Sequence, residues 1–284
     1  MSTSLTSAGL IKAANEALVK VSKDINLIKL FAYDLSDEAV DNNSTIKIPL
    51  ITAGQAVAFS DSNDYETLTG SVTYVPLTLN TQLKTTFKFD GKDVLDTPNA
   101  PYWSKCADAG AVAISAGISQ AFGGLFTAPS DSSGVTLGSV TKASLAKLRK
   151  ECAGRVADTV LALAPEYYAE ALALFDSNVY GGAEAIKDGQ VPGLYGFKAV
   201  VELRDAGSGV KGALIPTNAI AVGSRAVAVG DDSCYREIGT VTDENGFTIT
   251  VMRHGSAAKG TGFINITSNF GMAVVDATSI KILV

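Results

Sequence analysis

His254 is the only histidine in the chain. A Ser-His-Asp or Cys-His centre must therefore be built around it or not at all. It stands in Arg253-His254-Gly255-Ser256, at the end of a predicted strand, where a surface turn is the simpler expectation. One histidine also excludes a site held by several of them. The three cysteines, Cys106, Cys152 and Cys234, are odd in number and irregular in spacing. That pattern is neither a disulfide framework nor a zinc motif, and it predicts three small buried hydrophobes. Gly207-Ser208-Gly209-Val210-Lys211-Gly212 fits GxGxxG after a strand. The fingerprint needs a helix whose N-terminus points at a pyrophosphate. Pro216 follows too soon and no βαβ unit is visible, so a hairpin tip is expected. No GxxxxGK[ST] loop occurs.

The acidic groups Asp34-Asp37-Glu38 and Asp61-Asp64 lack the central Gly and terminal Glu of a calcium loop, and read as solvated turns. Lys142, Lys147, Arg149 and Lys150 form the densest basic patch. On a capped helix this is a solvated face, with a neighbour's acidic edge as the sharper alternative. No catalytic, cofactor-binding or metal-binding residue is assigned, no cofactor is expected, and the chain is not expected to be an enzyme.

These residues must be positioned by a chain of 284 residues, long enough for a large core. Hydrophobic residues make up 46% and charged residues only 18%. Few charges are left to cover the surface, which suits a chain that buries much of it against partners. A net charge of -6 argues against a basic nucleic-acid groove. The N-terminus lacks the basic and apolar regions of a signal peptide. Residues 109–126 carry no charge but are rich in Ala, Gly and Ser, so a buried helix is expected there rather than a membrane span.

Leu10, Ile11, Ala14, Leu18 and Val21 recur at helical spacing and give residues 1–40 an apolar stripe that must find a partner. The runs Thr45–Ile51, Ser71–Leu79 and Thr85–Phe89 predict strands of a long projecting hairpin. After the breakers at 96–101, Pro101 opens a helix in which Trp103, Cys106, Gly110, Ile114, Ile118, Phe122 and Leu125 share a face. It would run about 37 Å. Thr141 caps a second helix bearing Leu145, Leu148 and Cys152. Asp158–Ala164 reads as a strand. Pro165 opens a third helix with Tyr168, Leu172 and Phe175. Leu194–Leu203 reads as a strand, and Pro216–Val229 as helical at its start. Five short strands are expected in the last fifty residues: Tyr235–Val241, Phe247–Arg253, Gly262–Thr267, Ala273–Val275 and Ile280–Val284. The class is α+β.

Residues 141–201 carry a specific likeness. A capped helix (Thr141-Lys142-Ala143-Ser144-Leu145) precedes the strand-Pro-helix run Asp158 to Tyr168. Gly189-Gln190-Val191-Pro192-Gly193-Leu194-Tyr195-Gly196-Phe197-Lys198-Ala199-Val200-Val201 follows. This succession resembles the major capsid proteins of tailed bacteriophages, which share the Hong Kong 97 fold. The resemblance implies an N-terminal arm at 1–43, an extended loop at 44–92 lying over the adjacent subunit, and a peripheral domain with a spine helix at 93–140. It further implies an axial domain at 141–230 and peripheral return strands at 231–284.

The resemblance also implies a function: self-assembly into pentamers and hexamers of an icosahedral shell enclosing double-stranded DNA without sequence readout. The implied partners are further copies of the chain, a separate scaffolding protein and a portal, with no membrane. The virion would be assembled in the host cytoplasm. An encapsulin-type nanocompartment shell is the alternative. A carboxylate-dependent hydrolase or a β-type adhesin would need features this sequence does not display.

Overall fold

Strands form where β-branched residues are dense, and helices where apolar residues recur every three or four positions. The computed structural model describes residues 15–19, 21, 32–36, 45–52, 70–90, 99–127, 134–152, 154–174, 190–192, 194–227, 237–242, 247–256 and 261–284. The first strands are β1 (Ala32–Asp34), β2 (Thr45–Thr52), β3 (Ser71–Thr78) and β4 (Thr81–Asp90). Then come α1 (Asn99–Gly123), α2 (Lys142–Glu151), β5 (Thr159–Leu163) and α3 (Pro165–Ala173). The described strands that follow are β6 (Gln190–Pro192), β7 (Ala199–Glu202), β8 (Gly212–Pro216), β9 (Ile220–Arg225), β10 (Glu237–Thr242), β11 (Thr248–Ser256), β12 (Thr261–Val274) and β13 (Lys281–Leu283). The class is α+β, as the sequence predicts.

The described residues form three sheets. The largest runs β1-β9-β12-β11-β10, with β4 also paired to β12. The second runs β13-β8-β5-β7-β6, and among the described residues β2 pairs only with β3. In the second sheet β5 is fully buried. Its residues divide by parity, as successive side chains point to opposite faces. Val160 and Ala162 join a core with Ile114, Ile118 and Phe122 of α1. Leu161 and Leu163 join another with Leu145 and Leu148 of α2 and Tyr168 of α3. The first core also contains Ile249, Val251, Ile264 and Ile266 of the largest sheet, so α1 is shared by both sheets. Small residues permit this approach: Gly110 lies against Ile266 and Gly117 against Leu83. No helix among the described residues is long and apolar enough to cross a membrane.

Local signals hold well. Thr141 caps α2 and forms a capping box with Ser144. Pro165 sits in the first turn of α3. Residues 15–19 are helical, and Leu18 and Val21 bury in the chain's own core. Leu10, Ile11, Ala14 and Phe175, the acidic group at 61–64 and Cys234 lie outside the described residues.

Several expectations are corrected. The segment after Pro216 is strand β9 and not a helix. Its short apolar run has no decisive periodicity, and burial from both sides favours the extended form of Ile220 and Val222. The strand expected from Leu194 begins at Ala199. Residues Leu194–Gly196 form a tight turn, with Tyr195 at φ 55° and Gly196 at φ 85°. The third strand of the expected hairpin, β4, leaves it and pairs with β12 over ten residues. The two strands expected at 262–267 and 273–275 are one, β12. Helix α1 starts at Asn99, two residues before Pro101.

Candidate interaction surface

The hairpin β2–β3 has two chemically distinct faces, set by strand parity and register. Ile46 pairs with Leu77 and Ile48 with Val75. This face packs on Leu35, Ala221 and Val275, and Ile48 and Leu77 are buried there. The opposite face carries the pairs Lys47–Pro76, Pro49–Tyr74 and Ile51–Val72. It is open to solvent: Ile51 is 72% exposed, Tyr74 66% and Val72 55%. Covering such side chains yields roughly 25 cal/mol per Å² of apolar area, which makes this strip a candidate contact surface. Val112 on α1 and Ile238 on β10 are further exposed apolar side chains on other elements.

The residues singled out for chemistry are scattered. His254 lies within β11 and not in a turn, because the β11–β12 pairing continues to Ser256. Its ring stacks on Phe263 at 4.8 Å. Its Nδ1 is 3.3 Å from Asn265 Nδ2. A polar, half-buried strand position accounts for it.

The glycine segment 207–212 links β7 to β8. It is no hairpin tip, since β5 lies between those strands, and it leads into a strand rather than a helix. Gly207 donates its N–H to the Phe126 carbonyl, which ties this link to the end of α1. Lys142, Lys147, Arg149 and Lys150 are exposed on α2, the solvated face expected. Cys106 is buried but Cys152 only half-buried, which corrects the expectation for the latter. Burial pushes the Cys152 thiol above its usual pKa, with Glu151 adding to the rise and Thr159 and Arg149 opposing it. Among the described residues no group of three or more His, Cys, Asp or Glu side chains is placed to hold a metal ion.

The surface that stands out is thus an apolar contact strip, which only the strand register makes visible. The alternation in Thr45–Ile51 was legible as sequence; the pairing of Pro49 with Tyr74 was not.

No family model matches the chain, and no curated protein matches it in sequence. Solved structures do match. The capsid of a native GTA particle aligns with a TM-score of 0.57 at 14% identity, covering 92% of this chain and 89% of that one. The capsid of the cyanophage P-SCSP1u aligns at 0.55 and 11% identity, covering 90% and 86%. A structure from Mycobacterium phage Che8 aligns at 0.54 and 14% identity, covering 90% and 89%. Over about nine-tenths of its length the chain accordingly shares an α+β fold with phage and GTA capsid structures.

Proposed function

We propose that the chain is a major capsid protein, a structural subunit of the virion that assembles with its own copies into an icosahedral shell around double-stranded DNA. The observation that carries this reading is the shared fold over about nine-tenths of the chain with two capsid structures. The exposed strip on the hairpin agrees with it, since a shell subunit must keep apolar surface for its neighbours. Residues 1–43 serve as the arm, 44–92 as the loop lying over the adjacent subunit, 141–230 as the axial domain at capsomer centres, and 93–140 with 231–284 as the peripheral domain. Pentamers and hexamers form around the axial domain. A separate scaffolding protein and a portal take part, and assembly takes place in the host cytoplasm. An acidic chain suits containment of DNA without adhesion to it. The role requires no catalytic step.

Expression with and without a co-expressed scaffold, followed by negative-stain microscopy, tests the reading. Rings or closed shells of uniform size are expected. A monodisperse monomer under every condition would sink it. Nuclease-resistant DNA in particles from lysed host cells supports a virion shell; protein cargo without DNA indicates the encapsulin alternative.

A further inference from the structure

A cavity of about 520 Å³ opens between the hairpin and the body of the molecule. One wall is residues 47–51 of β2. The other is made by Arg155, just before β5, by the β8–β9 turn at residues 216–219, and by Asp276 and Ser279 between β12 and β13. These segments are distant in sequence, so only the fold assembles the space. Its size falls within the roughly 300–1,000 Å³ of small-molecule sites.

The floor is apolar. Leu35, Ile48 and Val275 belong to one buried cluster, and all three line the cavity. The rim carries the charge, on Lys47, Arg155 and Asp276. The carboxylate is already engaged by its own turn: Asp276 Oδ1 accepts hydrogen bonds from the hydroxyl and amide of Thr278 and from the amide of Ser279. It makes no ion pair with either cation. Among the described residues the Lys47 ammonium and the Arg155 guanidinium have no hydrogen-bond or ion-pair partner. Arg155 also borders a smaller adjoining cavity of about 210 Å³, where Glu151 and Lys281 carry opposite charges.

Two unpaired cations above an apolar floor discriminate between kinds of ligand. A neutral apolar molecule would leave both cations without an anion. A small anion without a tail would leave the floor in water. Hydrogen bonds between charged partners are the strong ones, and a guanidinium fork matches the two oxygens of a carboxylate. A hydrocarbon tail on that carboxylate would take the floor out of water as well.

We propose that this cavity binds an amphiphilic carboxylate of the medium-chain fatty-acid type, its head at Lys47 and Arg155 and its tail on Leu35, Ile48 and Val275. Such a ligand would touch the hairpin on one side and both turns on the other, and would fasten the one to the other. The site is independent of the shell reading, because nothing in it requires a second copy of the chain.

Titration of the full-length, unassembled chain with octanoate, followed by amide chemical shifts, tests the site. Two half-ligands serve as comparisons: octanol keeps the tail without the charge, and acetate the charge without the tail. Octanoate should bind at one site about tenfold or more tightly than either, with the largest shifts at residues 47–51, 217–219 and 275–279. Arg155→Gln and Lys47→Gln should each weaken octanoate by about tenfold and leave octanol unaffected. Both side chains are exposed and unpaired, so wild-type circular dichroism is expected of each variant. Octanoate that binds no more tightly than octanol or acetate would overturn the proposal on the wild-type chain alone. Shifts centred elsewhere, or folded variants that bind octanoate at the wild-type level, would overturn it too.

Discussion

The ammonium of Lys211 donates a hydrogen bond to the backbone carbonyl of Leu137, a residue 74 positions away in the chain. Around this contact the segment after α1 is latched to the second sheet. Val135 and Leu137 donate to the carbonyls of Ile282 and Val284, and Val140 donates to Glu170 Oε2 at 2.6 Å. Leu137 itself is buried. Lys211→Met would keep the aliphatic stem and remove the donor, leaving a carbonyl without its charged partner. The expected loss is about 1–3 kcal/mol, read as a lower urea midpoint at unchanged slope.

Gly123 closes α1 where the backbone of Arg204 and Asp205 passes directly beneath it. An alanine in a helix ordinarily gains up to about 1 kcal/mol over glycine. Here the added methyl would meet two backbone carbonyls that cannot swing aside, so the sign reverses. Gly123→Ala should cost about 1–3 kcal/mol, and Gly271→Ala, whose methyl would meet the Thr78 carbonyl, a similar amount. Gly138 faces open space, and Gly138→Ala is the control expected to leave the melting temperature unchanged. Thermal unfolding of the three variants distinguishes backbone collision from a general effect of replacing glycine.

Asn218 sits at φ 67°, between β8 and β9, with its side chain in solvent. Asparagine tolerates this left-handed conformation better than residues other than glycine. Asn218→Ala should therefore destabilise by about 1 kcal/mol, while Asn218→Gly stays within about 0.5 kcal/mol of wild type. Equal effects from the two replacements would show that conformation is not what the position requires.

Burial alone would raise the pKa of Asp276, but hydrogen bonds from Thr278 and Ser279 outweigh it and hold the carboxyl below its ordinary value. The Thr278 hydroxyl donates at 2.6 Å, and the Thr278 and Ser279 amides at 3.1 and 3.2 Å. A depressed folded-state pKa contributes stability that is fully present above the unfolded value of about 3.9 and lost as pH falls through the folded value. The stability gap between wild type and Asp276→Ala should be constant from about pH 5 to 8 and narrow below about pH 4. A gap that stays constant down to about pH 2 would contradict this.

Much of the local structure was legible from residue types because its causes are local. Thr141 and Ser144 cap α2 within one turn. Pro165 belongs in a first turn wherever it occurs. The stripe Ile114, Ile118 and Phe122 buries because helical spacing places those side chains on one side. The hairpin's existence could be read in the same way, through the alternation in Thr45–Ile51.

Pairing is another matter. Nothing near residues 81–90 states that they lie beside 261–270, and nothing near Pro216 states whether Ile220 and Val222 extend or coil. Those outcomes depend on what covers each residue from a distance. β9 is a strand because β1 and β12 flank it. Composition, spacing and capping therefore determined the class and the long helix, while the motif succession at residues 141–201 carried the capsid resemblance. The register that sets Pro49 against Tyr74, buries one hairpin face and exposes the other was decided by tertiary structure alone. The physical reason is parity: a shift of one residue in pairing would exchange the two faces, and only the packing of Ile48 and Leu77 on Leu35, Ala221 and Val275 selects between them.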